Sequence, residues 1–227
     1  MLKYLTQIWN SRDLRAKILF TLGVVVIFRI LTQISIPGVN LEALKAIFTR
    51  NSLLGMFSLL TGGSAENFSI VLMGLSPYIN ASIIMQLLTV IVPKLENLSK
   101  EGEAGRRSIN KYTRWLTLPL AFIQSYGMIL LLNSQSQVSL IENISSPSVI
   151  LPIMLIITAG TLLLMWLSEL ISEMGIGNGS SIIIFAGIIA SVPQIIGQSL
   201  ALSQQSSEKL IPFLIMILVT IALTVMV

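Results

Sequence analysis

Residues 68–92 carry no charged side chain, and residues 149–171 carry only Glu169. About 20 apolar residues at 1.5 Å rise each cross the ~30 Å hydrocarbon core of a bilayer as a helix, with every backbone bond closed inside the segment. Four further stretches have the same character: 18–35, interrupted by Arg29; 115–132, anchored by the interfacial Trp115; 181–192, which reaches spanning length if it continues through Pro193 to 202; and 210–227. These six predict an all-α polytopic membrane protein. Composition agrees, since 54% of the 227 residues are hydrophobic and 11% charged, against roughly 25% charged in a soluble domain. A mean hydropathy of +0.86 leaves too little polar surface for water to be the only solvent.

The chain contains no cysteine and no histidine. Disulfides, thiolate metal sites, Cys nucleophiles and imidazole bases are therefore excluded, and the expectation is a protein without catalytic residues, metal or cofactor. Orientation follows from Lys and Arg in short loops. The first 17 residues hold Lys3, Arg12, Arg15 and Lys17 but lack a signal-peptide cleavage pattern, and are read as a retained amphipathic arm. Residues 94–114 carry six basic side chains, 133–148 none, and 37–67 only Lys45 and Arg50 against Glu42 and Glu66. The arm and the 93–114 loop therefore face the cytosolic side, where a soluble partner would dock. The apolar run to Val227 suggests the front part of a longer protein.

Several features carry more than span-forming information. Residues 53–60 are apolar for two turns, too short to cross lipid, and end at Gly62 and Gly63. Either an interfacial helix or a removable stopper hinged at the glycines fits this pattern. In GLSPYINASIIMQLL, residues 74–88, Leu75, Ile79 and Ile83 stack along one helical stripe, and Asn80 and Gln86 lie off it. Those amides either bond a neighbouring helix or line a wet path. Arg106 and Arg107 follow a GEAG turn, expected to be flexible from its glycines, as two guanidinium forks suited to carboxylates or phosphates. GIGNG at 175–179 reads as a tight turn, and Arg29 as a snorkelling or paired cation.

Taken together, FRILTQISIPGV, GLSPYINASIIMQLL, EGEAGRR and MWLSELISEMGIGNGSSIIIFAGI, in that order, resemble the SecY family of protein-translocase pore subunits. The resemblance runs from about residue 14 to 193. It implies a helix bundle made of the first inverted repeat, five spans within 18–202, followed at 203–227 by a loop and the start of the sixth span. It further implies a plug at 53–64, built on Leu53, Leu54, Met56, Phe57, Leu59, Leu60, Gly62 and Gly63. A pore ring would draw on Leu75, Ile79 and Ile184, with Ser180 at a position where many relatives carry a bulky aliphatic residue. Asn80 and Gln86 would fall on the lateral gate, and Arg106, Arg107 and Lys111 on the cytosolic surface. Implied partners are SecE, a SecG-like subunit, the SecA motor or a translating ribosome, signal-bearing precursors, and lipid. PYINASIIMQLL with LENLSKEGEAGRR most resembles the cyanobacterial and plastid branch, implying a thylakoid or, alternatively, a bacterial membrane.

Two other readings remain open on sequence. Half of a secondary transporter would show similar broken helices but needs ion-binding carboxylates in its spans, for which only Glu169 offers itself. A non-channel assembly factor is the other; an intramembrane enzyme lacks its catalytic groups.

Overall fold

The protein is described by a computed structural model covering residues 11–136, 140, 141, 144 and 146–205. Within these the chain forms eight helices: α1 (Arg12–Leu31), α2 (Leu41–Arg50), α3 (Ser52–Leu60), α4 (Ser76–Ile91), α5 (Pro93–Lys100), α6 (Glu103–Gln135), α7 (Pro147–Met174) and α8 (Gly179–Gln205). Extended pairing among the described residues is limited to two isolated bridges, Ser35 with Ser69 and Val39 with Ile141. Contacts divide the chain after Ile188. The first unit holds everything discussed below; in the second, residues 189–205 are helical as the remainder of α8. The arm's first ten residues and the expected sixth span at 210–227 lie outside the described residues, and the boundary expected after 202 falls within α8.

Among the described residues two helices are each long and apolar enough to cross a membrane, α6 and α7. α4 reaches that length only together with α5, from which it is bent by 102°, and the apolar part of α8 is shorter, Gly179–Pro193. α1 covers most of the first expected span but starts within the basic arm and stops at Leu31. Residues 34–36 then run extended, with Ile36 N–H donating to the Phe68 carbonyl at 3.0 Å and Ile70 N–H to the Ile34 carbonyl at 3.0 Å.

The second expected span differs more. Its helix begins at Ser76, eight residues after Phe68 in the sequence run, because Pro77 occupies the first turn, where its missing N–H costs nothing. Before it, Phe68 and Gly74 have φ of 45° and 56°, outside helical values. This irregular backbone is tolerated because protein buries it. Phe68, Ser69, Val71, Leu72 and Leu75 are all buried, and the N–H of Val71 donates to Ser69 Oγ at 3.3 Å. Gly160 of α7 lets the Ile70 carbonyl press directly on the helix; a Cβ there would collide with it. The segment also joins the two cores: Phe68 and Leu72 pack with Leu44, Ile129, Leu132 and Ile157, whereas Val71 and Leu75 pack with Phe28, Leu164, Ile171 and Ile183.

The 93–114 region is more ordered than a charged loop predicts. Most of it is helical, in α5 and the start of α6, with the break confined to Glu101 and Gly102. Gly102 has φ 73°, and Gly105, expected in a flexible turn, lies inside α6 against the Leu98 carbonyl of α5. Arg106 and Arg107 thus stand on a helix.

Candidate functional site

A largely apolar cavity of about 260 Å³ lies among α1, α3, α4, α7 and α8. Leu75, Ile79 and Ile184, the three aliphatic ring positions anticipated from sequence, all line it. They come together because Leu75 and Ile79 sit one turn apart where α4 begins, and the second core presses α8 against that turn through Ile183. Phe28, Met73, Gly74, Leu164 and Ile183 complete the apolar wall. Such a wall offers water few directional partners, since only Thr61 and Ser76 bring hydroxyls to the lining.

Two further lining residues, Phe57 and Thr61, belong to the short segment expected to form a stopper. It is a helix, α3, started by Asn51, whose Oδ1 accepts from the N–H groups of Leu53 at 3.1 Å and Leu54 at 3.5 Å. Leu54 and Phe57 pack on the first core and Ser58 is buried, whereas Leu53 and Met56 are exposed and Leu59 less so. The helix ends in a wrapped turn, with Gly63 N–H donating to the Ser58 carbonyl at 2.8 Å. Gly62 and Gly63 have φ of 66° and 82°, the left-handed region in which glycine is unstrained. Gly62 also sits against Gly187 of α8, where an added Cβ would fall 2.9 Å from the Gly187 Cα. From α1, Arg29 Nη1 donates to the Gly62 carbonyl at 2.6 Å.

The SecY family model matches residues 69–227. The chain is 48% identical over 202 residues to the protein translocase subunit SecY of Bacillus subtilis, covering 87% of this chain and 46% of that one. It is 45% identical to the SecY of Halalkalibacterium halodurans, over 96% and 50%, and 43% identical to that of Pseudomonas aeruginosa, over 85% and 43%. The chain belongs to the SecY family. It spans about half the length of the curated relatives it matches. Among solved structures, Sec61 in the canine ribosome–channel complex from the endoplasmic reticulum superposes with a TM-score of 0.53 at 20% identity, over 78% of this chain and 37% of that one. That likeness establishes the fold, a helical polytopic membrane protein.

The remaining expected SecY positions are placed as follows. Ser180 does not line the cavity; its hydroxyl lies 2.8 Å from that of Ser168 on α7. The physical reason is that Ser180 sits in the first turn of α8, where the GIGNG turn brings the helix against Ser168: Gly179 packs on the Ser168 carbonyl and its N–H donates to Ser172 Oγ at 2.9 Å. Asn80 is exposed, and Gln86 Nε2 reaches Ser82 Oγ on its own helix at 3.4 Å, so both stand on an open face of α4 with Ile83 and Leu87. Arg106, Arg107 and Lys111 are exposed on the first turns of α6. On neighbouring α5, a 2.6 Å pair with Lys100 holds the Glu96 carboxyl below the usual carboxylate range.

Sequence reasoning named neither Thr61 nor the residues across the cavity, Phe28, Leu164 and Ile183. Helical period alone does not say which face of three separate helices converges. It also left Arg29 without a partner, and it did not pair Arg114 with Glu169, 55 positions apart, whose Nε and Oε1 lie 2.7 Å from each other.

Proposed function

We propose that this chain supplies the N-terminal half of the pore subunit of the Sec translocon. In this reading the channel conducts unfolded proteins and releases apolar segments sideways into lipid. The observation that carries the proposal is the shared cavity, in which Phe57 of α3 and Thr61 just after it meet Leu75, Ile79 and Ile184. The aliphatic residues act as a gasket that excludes hydrated ions and gives way to a chain because it makes no directional bonds. α3 acts as the plug, swinging on Gly62 and Gly63. Ser180 is left out of the seal. The exposed apolar and amide face of α4, with Asn80 and Gln86, is the seam toward a second half.

The task is transport rather than catalysis. Energy comes from a SecA-type motor or an elongating ribosome docking on Arg106, Arg107 and Lys111, and SecE and a SecG-like subunit complete the assembly. The motif resemblance favours a plastid thylakoid membrane, with a bacterial membrane as the alternative; the bacterial relatives named above are compatible with the latter. The transporter reading is weaker because Glu169, the carboxylate it would need, is held by Arg114.

The cysteine-free sequence makes the test direct. Single cysteines replace Ile79 and, separately, Leu59 in the complete polypeptide, and each is crosslinked to a stalled secretory precursor. Strong crosslinks at Ile79, with Leu59 moved from its resting neighbours, are expected. A targeted precursor that never reaches Ile79 removes the pore assignment.

A further inference from the structure

Resting on that reading, we infer that Arg29 is a positioning residue that latches the plug shut. It stands in the last turn of α1, exposed as a residue but inside the first apolar run expected to span, where an uncompensated charge is costly. Among the described residues no carboxylate pairs with it. Its partner is a backbone carbonyl, that of Gly62 at 2.6 Å, 33 residues away.

Gly62 is the point at which such a bond has most leverage. It follows α3 directly, it has φ 66°, and its lack of a side chain lets it rest on Gly187. Thr61, its neighbour, and Phe57, one turn earlier, form the plug's side of the cavity. A bond to Gly62 therefore fixes the hinge rather than the body of α3. It also explains how the helix stays seated although Leu53 and Met56 on its outer face are exposed. The bond is charge-assisted on one side only, so it is directional and strong while made. Once broken it leaves behind a neutral carbonyl and no buried anion, a property suited to a latch that must open repeatedly. Opening requires the guanidinium to find other acceptors, such as lipid headgroups or water in the vestibule.

The latch is tested in the full-length complex reconstituted in vesicles, carrying Ser58→Cys as reporter. Ser58 is buried at the plug's seat, and its alkylation by a membrane-impermeant thiol reagent measures plug departure. Arg29→Ala and Arg29→Met, the second chosen for its length and compatibility with lipid, are each expected to raise the idle alkylation rate and ion leak by about tenfold, the low end of what a hydrogen bond to a charged group contributes. Arg29→Lys restores part of the closure. Gly62→Ala, which keeps Arg29 but lifts the hinge from Gly187, raises the rate likewise and serves if the Arg29 variants do not assemble. Parental rates in assembled Arg29→Met or Gly62→Ala complexes whose Ile79 position still crosslinks precursor overturn the latch alone. Loss of the Ile79 crosslink in the parent overturns the pore reading instead. A merely structural role for Arg29 lowers complex yield without changing the reporter rate, and so also counts against the latch.

Discussion

The hydroxyls of Ser180 and Ser168 lie 2.8 Å apart, and Ser168 is buried. Replacing Ser180 with Ala removes one partner and strands the other, an asymmetric loss that costs about 1 kcal/mol. The expected outcome is a lower thermal midpoint of the purified complex with unchanged precursor crosslinking at Ile79. Altered conductance in Ser180→Ala without a stability change would instead return this residue to the seal. Single glycines act at the same scale through close approach. Gly160 and Gly105 each admit a neighbouring carbonyl where any side chain collides, and neither is distinguishable in sequence from the glycines that have open space around them, such as Gly127.

At the level of elements, the broken second span is the informative case. Residues 68–75 are as apolar as the helix that follows, so hydropathy alone joins them. Pro77 and Gly74 mark where the helix starts, but it is burial between two cores, with its N–H groups bonded to nearby carbonyls and to Ser69 Oγ, that allows irregular backbone at that place. α6 and α7 are joined differently, by the Arg114–Glu169 pair with side-chain exposures of 47% and 16%. Arg114→Ala leaves a mostly buried carboxylate unpaired and is expected to destabilise by about 1–3 kcal/mol. Adding Glu169→Gln recovers much of that loss, because the uncompensated charge goes with it. A double-mutant cycle on thermal unfolding in detergent reads the coupling, and additive losses would show the pair to be incidental.

For the whole molecule, α6 provides the ruler. Its 33 residues span about 50 Å, more than the ~30 Å hydrocarbon core, so both ends stand in water. A cysteine at Glu103 is expected to be labelled by an impermeant reagent only from the side of the basic arm, and one at Gln135 only from the other side, in sealed vesicles of known orientation. Labelling of both from one face would refute the orientation drawn from the basic loops.

What the sequence determined by itself was the solvent and the family, and it supplied an expectation of orientation. Long uncharged runs need lipid, clustered Lys and Arg predict the inside, and four motifs in order pointed to SecY. The stripe Leu75–Ile79 was also legible, because one helical turn is a local property. Tertiary structure alone decided which faces of α1, α4, α7 and α8 converge on the cavity, that Ser180 turns away toward Ser168, and that Arg29 meets Gly62. These are contacts between residues from a dozen to more than a hundred positions apart. Their partners are selected by how helices pack and by which backbone can be buried, and no local pattern along the chain records either.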